Sequence, residues 1–350
     1  MKARVKARLV ALIVAVVLVV GGTFASLALV SPARAASVTT YTGSLDGAAY
    51  LIQVPTPWNG TLVLYSHGYV VPGSSNPATD VGDAATGSYL LAHGYALAGS
   101  AYSTTGWAIQ QAFQDQIDVL NHFDTLGYGH PSRTIAWGHS LGGIITAGLI
   151  QLYPDRFTAA LPMCGVVAGG VATWNTALDG AFALKVLLAG TTPLQVVHIT
   201  DPSANLHNAE QVLAVAQASP QGRARIALAA ALSDVPGWFQ TGSPEPAATD
   251  YTAQELNQEA WLANVDGPFE FAFRAELEFR AGGNPSWNTD VNYLHQFAIS
   301  AEGREVENLY KQAGLDLRGD LKALNAAPRI AADPGAVNYL KQYISFDGQI

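Results

Sequence analysis

The sequence predicts an α/β fold: a mostly parallel central sheet with helices on its flanks, followed by a large, mainly helical part. Three observations carry this prediction. Strand-like and helix-like segments alternate between Thr39 and about Gly165. The inner strand candidates are continuous apolar runs, as expected of strands covered on both faces. After Gly165 the strand signal fades and helical stretches dominate.

Residues 39–44 and 48–54 read as short strands separated by the turn residues Asp46-Gly47. Pro55, Pro57 and Asn59-Gly60 make the next break. Residues 61–66 (TLVLYS) form an uninterrupted apolar strand. Residues 88–93 close a helix that Gly94 stops, and 95–101 is the next strand. Residues 108–126 place Ile109, Phe113, Ile117, Leu120 and Phe123 on one helical stripe, with Gly127 as the stop. A strand at 134–138, an apolar helix at 141–153 ended by Pro154, and a core strand at 157–164 complete the series. Such alternation implies parallel strands with helices on both faces. Beyond it, residues 208–218, 222–232, 252–264, 268–280 and 301–313 read as helices, separated by turn clusters at 241–246 and 282–285.

With 350 residues, 49% of them hydrophobic, the chain has enough apolar mass for a full core and too much for disorder. Its length fits one large domain or two. The first 35 residues hold five basic residues and no acid, which leaves 13 basic against 27 acidic residues in the remainder. A body of that sign is repelled by polyphosphate, so no nucleic acid partner is expected. Cys164 is the single cysteine, which rules out an internal disulfide framework and a cysteine-based zinc cage.

The N-terminus reads as an address. A basic stretch (MKARVKAR), an apolar run over 9–20 and the A-x-A pattern Ala33-Arg34-Ala35 follow the order of a secretory signal peptide spanning 1–35. Cleavage places the mature start near Ala36, in a secreted, extracellular protein. The alternative is a retained anchor, because weakly polar residues extend the apolar stretch to Val30, about a bilayer's span. Gly21, Gly22, Pro32 and the A-x-A site favour cleavage. No stable membrane span is expected afterwards.

Gly138-His139-Ser140-Leu141-Gly142 fits G-x-S-x-G and lies between a predicted strand and a predicted helix. A serine there must occupy a sharp, strained turn that lifts its hydroxyl above the sheet. Gly138 and Gly142 leave room where strand and helix nearly touch. The helix N-terminus adds partial positive charge where an oxyanion forms, with the Leu141 N–H as first donor. The loop after strand 61–66 reads Tyr65-Ser66-His67-Gly68-Tyr69. Gly68 permits a backbone bend, and the Tyr69 N–H is the candidate second donor. His67 precedes the serine in this loop and is not assigned as the base.

On these residues, His67-Gly68 and Gly138–Gly143, the chain resembles the α/β-hydrolase superfamily over roughly residues 39–165. Within it, the chain is similar to secreted bacterial serine esterases and serine-aminopeptidase-like hydrolases. The resemblance implies an α/β-hydrolase core over 36–169, a helical cap over 170–343 and a return to the core at 344–350. It implies a serine hydrolase that cleaves a small ester or peptide substrate through an acyl-enzyme on Ser140. It also implies an acid and then a histidine on later strands. The last residues look like the lead-in to such a strand, and the sequence then stops, so both partners are expected to be missing from this chain. A competing placement takes residues 193–200 (PLQVVHIT) as the strand, Asp201 as the acid and His295 as the base. Against it, His295 has no preceding strand; Asp201 then caps a helix. The function classes left open are a hydrolase, a catalytically incomplete hydrolase-fold protein and an acyltransferase on the same serine.

No H-E-x-x-H, carboxylate cluster or G-x-G-x-x-G points to a metal or dinucleotide, so no cofactor is expected. His93, His122 and His130 read as structural or solvated, and Cys164 as a small buried residue. Tyr102 and Trp107 fit either a substrate pocket or packing.

Overall fold

The computed structural model describes residues 37–239 and 242–343. The proposed signal peptide and the last seven residues lie outside them. The described chain divides into two compact units: one runs up to Gly170 and resumes at Leu340, and the other is Val171–Tyr339.

The first unit is a six-stranded sheet of order β1-β2-β4-β3-β5-β6. Its strands are β1 (Ser37–Leu45), β2 (Ala48–Thr56), β3 (Thr61–Ser66), β4 (Ala96–Ser100), β5 (Arg133–His139) and β6 (Ala159–Met163). β1 and β2 form an antiparallel hairpin closed by the pair Leu45↔Ala48. Asp46 and Gly47 both have positive φ, 46° and 93°, which matches the right-handed twist of a two-residue hairpin. β2 also runs antiparallel to β4, whereas β4, β3, β5 and β6 are mutually parallel. The sheet is therefore mixed, with a parallel centre.

All six residues of β3 are buried, as its apolar run requires. Helix α1 (Ala84–Ala92) is N-capped by Asp83, whose side chain accepts from Thr86 N. Helix α2 (Ile109–Asp124) buries all five residues of the predicted stripe. Helix α3 (Leu141–Leu152) follows β5 directly and packs on β5 and β6. The strand expected at 157–164 is shorter, and Cys164 departs from expectation: it is exposed with φ 48°, just past the end of β6.

The second unit is helical. Its elements are α4 (Gly170–Leu188), α5 (Pro202–Gln217), α6 (Pro220–Leu232), α7 (Tyr251–Trp261), α8 (Arg274–Ala281), α9 (Tyr293–Ile299), α10 (Gly303–Ala313), α11 (Leu317–Ala326) and α12 (Pro334–Tyr343). The core gathers on α6, whose residues from Ile226 to Leu232 are all buried. Small residues let neighbours approach: a Cβ on Gly222 would lie 2.0 Å from the Ala216 carbonyl oxygen.

Between α7 and α8 the helix widens into π turns at Leu262–Asp266 and Phe269–Phe273, flanking Pro268. Proline lacks an N–H and crowds the carbonyl four residues back, so a widened turn relieves it. Arg274, fully buried, follows this break. Its guanidinium bonds Glu270 at 3.3 Å, Glu278 at 3.1 Å and Asn284 at 2.8 Å. Burial pushes the Glu270 carboxyl up to about 7, against the opposing attraction of Arg274.

Candidate active site

Ser140 stands between the last residue of β5 and the first of α3, with φ 54° and ψ −120°. Side-chain-bearing residues rarely adopt this backbone, which costs of order 1–3 kcal/mol. Two backbone bonds hold it there: Ser140 N–H donates to Met163 O at 3.0 Å, and Ser140 O accepts from Gly143 N at 2.8 Å. The residue is exposed. The turn thus carries a hydroxyl out of the sheet at the end of a central strand.

The glycines around it are required by contact. A Cβ on Gly138 would lie 2.3 Å from Gly142 O, and one on Gly142 would lie 1.9 Å from Ser66 O. Both opposing atoms are backbone. Gly142 therefore sets how closely α3 approaches the end of β3. The same contact brings the loop after β3 against the turn: a Cβ built on Gly68 would lie 3.5 Å from Ser140 Cβ and from His139 O. Ser140, Leu141 and Gly68 are thus neighbours, and Tyr69 follows in the chain. Leu141 is the first residue of α3, where N–H groups lack an intrahelical acceptor and the helix presents its positive end.

The loop carrying Gly68 is tied down from several sides. His67 Nδ1–H donates to Gly68 O at 2.7 Å. The His67 ring stacks on Tyr102, with centroids 4.0 Å apart and planes 22° apart. Tyr102 Oη–H donates to His67 O at 3.0 Å. Gln116 Nε2 donates to Tyr65 O at 2.7 Å and to Ser66 Oγ at 2.9 Å. Burial holds the His67 imidazole below its usual pKa. Tyr102 and Trp107 are both buried, so they pack instead of presenting a surface. His139 packs beside the turn, its Nδ1 3.2 Å from Tyr65 Oη. Burial lowers the His139 pKa and pushes the Tyr65 hydroxyl up to about 12.

The alternative triad partners belong to the helical unit. Residues 193–200 form no strand. Asp201 is the N-cap of α5, accepting from Ser203 N at 3.1 Å and Ala204 N at 3.0 Å. His295 is an exposed residue of α9. No hydrogen bond or ion pair joins Asp201 to His295 among the described residues. The strand that the competing placement expected at 193–200 is therefore absent, and Asp201 caps a helix. Among the described residues no hydrogen bond reaches the Ser140 hydroxyl, and no group of three or more His, Cys, Asp or Glu is placed to hold a metal ion. No described helix is long and apolar enough to cross a membrane. His93, His122 and His130 are occupied locally, by Tyr89 O, the Tyr50 ring and Asp124 respectively.

Comparison with known proteins gives the family. Residues 92–216 match the prolyl oligopeptidase family. The chain is 32% identical over 323 residues to an o-phthalyl amidase of Xanthobacter agilis, covering 84% of this chain and 68% of that protein. This chain belongs to that amidase's family. It is a member of the α/β-hydrolase superfamily, and its mixed sheet with flanking helices is that fold. Solved structures similar to it include a putative dipeptidyl aminopeptidase IV from Bacteroides ovatus, at 19% identity and TM-score 0.32 over 38% of this chain and 22% of that one. Another is an S-formylglutathione hydrolase from Staphylococcus aureus, at 17% identity and TM-score 0.30 over 40% of this chain and 63% of that one. The chain spans about a fifth of the first structure's length and under two thirds of the second's.

The family model begins at residue 92 and so contains the G-x-S-x-G turn, but not His67-Gly68. The turn was legible in the sequence. The contributions of Gln116 and Tyr102 to the loop were not, because they arise from contacts 35 to 51 residues apart in the chain.

Proposed function

We propose that this α/β-hydrolase cleaves an ester or amide bond through an acyl-enzyme on Ser140. One observation carries the reading: an exposed hydroxyl on a strained strand-to-helix turn, beside the first N–H of a helix. The Ser140 oxygen attacks the carbonyl carbon while its proton passes to a base, and the oxyanion takes hydrogen bonds from the Leu141 and Tyr69 N–H groups. Collapse breaks the bond to the leaving group, which takes up the proton. Water then attacks the acyl-serine and releases the acid. The amidase relative favours an amide of an aromatic acid as substrate. The N-terminal address supports action outside the cell.

The test is release of chromophore from a nitrophenyl butyrate and amine from a phthalyl amide, with Ser140→Ala beside the wild type. In a protein that also supplies the base, the expected result is a loss of at least ~100-fold on Ser140→Ala, in the range of nucleophile deletions. Equal rates for the two proteins would refute the proposal.

A further inference from the structure

Three helices of the helical unit bring two carboxyls and two amides into its interior. Gln217 ends α5, Glu255 and Gln258 lie on α7, and Glu305 lies in the first turn of α10. Glu255 and Gln258 are three residues apart and share a helix face. Both are fully buried, and Glu305 is 2% exposed. Two hydrogen bonds tie the groups across helices: Gln217 Nε2 donates to Glu255 Oε2 at 3.2 Å, and Gln258 Nε2 donates to Glu305 Oε2 at 3.0 Å. Gln258 Nε2 also donates to Val235 O at 3.2 Å. Both protons of that amide are thus fixed, and its oxygen is held beside the Glu305 carboxyl. Glu255 and Glu305 in turn feel each other's charge.

The second oxygen of each group has no donor. Gln217 Oε1, Glu255 Oε1, Gln258 Oε1 and Glu305 Oε1 are buried, and none accepts a hydrogen bond from the described residues. Amide and carboxylate oxygens only accept, so the four cannot satisfy one another. A buried acceptor left unmet is costly, and a charged one more so. The charge around them is unbalanced as well. Glu302 at the N-cap of α10 and Glu259 on α7 add to the negative side. Arg223 of α6 attracts Glu255, but its Nη1 donates to Gln217 O at 3.1 Å.

A cation meets both needs at once. A donor set of carboxylate and amide oxygens alone selects a hard ion, and two carboxylates match a double charge. Calcium accepts irregular geometry, whereas magnesium demands a near-octahedral shell and keeps its waters. We infer that Gln217, Glu255, Gln258 and Glu305 form a calcium-binding site that ties α5, α7 and α10 together. Its ligands come from three helices, so no loop motif marks it in the sequence. Protons compete for the same oxygens, because burial raises Glu255 to about 7 and Glu305 to about 8. Binding therefore expels protons and strengthens as pH rises.

The experiment titrates CaCl2 into the chelator-stripped full chain by isothermal calorimetry, at pH ~6 and pH ~8.5. Tm is recorded beside it with CaCl2, with MgCl2 and with NaCl at equal ionic strength. The expected result is one calcium ion per chain, bound at least ~10-fold more tightly at the higher pH. Calcium at ~100 times its Kd should raise Tm by ~5 °C or more, and magnesium and sodium should do far less. Glu255→Gln and Glu305→Gln each keep the side chain's shape and remove a charge, and each should weaken binding at least ~10-fold. Glu307→Gln, on an exposed position of the same α10, should bind like wild type. Absence of saturable binding by the wild type at the higher pH overturns the inference. So does an equal Tm gain from magnesium or sodium, which marks screening of surface acids, or wild-type affinity in a folded Glu305→Gln. If neither glutamine variant folds, the wild-type titrations decide. An affinity that is the same at both pH values overturns the site, because exposed carboxyls have lost their protons well below pH ~6.

Discussion

Gly142→Ala tests the geometry on which the site is built. In an isolated helix the change favours folding by up to ~1 kcal/mol, because alanine is the better helix former. Here the new methyl group would lie 1.9 Å from Ser66 O, 2.6 Å from Ser66 C and 2.7 Å from His67 O. A carbon and a carbonyl oxygen need more than about 3 Å, so α3 and the end of β3 must separate by more than ~1 Å. All three opposing atoms are backbone, and no side chain can turn aside. Overpacking of this kind costs ~1–3 kcal/mol or more, and the absence of a flexible neighbour puts this site at the upper end. The net expectation is a loss of about 3 kcal/mol, or roughly 10 °C in Tm for a unit of this size. Activity should fall further than stability, since the same shift moves Ser140 away from the loop of Gly68. The assay is thermal unfolding by circular dichroism with ester hydrolysis in parallel. Gly335→Ala is the control, because a Cβ there meets nothing within 4 Å. A Gly142→Ala protein that melts within about 2 °C of wild type and hydrolyses at its rate would refute the reasoning.

Three further expectations concern the helical unit. Asp201→Ala should cost about 1 kcal/mol, the usual value of an N-cap, and leave ester hydrolysis unchanged; a large loss of kcat would restore Asp201 as a catalytic acid. Arg274→Met leaves Glu278 and Glu270 buried without their cation and should cost ~3–5 kcal/mol in chemical denaturation, an effect that wild-type-like unfolding would contradict. Burial raises Glu305 to about 8, Glu255 and Glu270 to about 7, and Asp179 and Asp266 to about 6. The folded unit therefore keeps protons that the unfolded chain releases above about 4.5, so its stability should fall as pH rises from there to about 8, and calorimetry should find a higher Tm at pH 5 than at pH 8. A Tm that climbs over this range would contradict the burial argument.

Much of the sheet was legible because its signals are local. TLVLYS declares a strand covered on both faces, Asp46-Gly47 declares a hairpin, and the stripe from Ile109 to Phe123 declares a helix. The turn at Ser140 was legible for the same reason: two glycines and a serine sit between a strand and an apolar helix. Residues 193–200 misled because their apolar run is satisfied from a distance. Gln195 N bonds Asn205 Oδ1, His198 N and Ile199 N bond Glu278, and Thr200 N bonds the Gln195 side chain. With its N–H groups so occupied, the segment needs no neighbouring strand. The helix Gly170–Leu188 escaped notice because glycine, alanine and leucine surround it with little periodic contrast. The π turns follow from Pro268 meeting a helix that tertiary packing continues, which no local pattern records. The ties on the Gly68 loop come from Tyr102 in the loop after β4 and Gln116 in α2, so they carry no joint signature in the chain.

The central claim is that the Ser140 hydroxyl is the nucleophile. Intact-mass and peptide-mapping spectrometry after incubation with a fluorophosphonate measures this directly, since attack forms a Ser140 oxygen–phosphorus bond and expels fluoride. The account predicts a single adduct on the peptide that carries Ser140, and none on the Ser140→Ala protein. An unmodified Ser140 peptide, or equal labelling of both proteins, would contradict it.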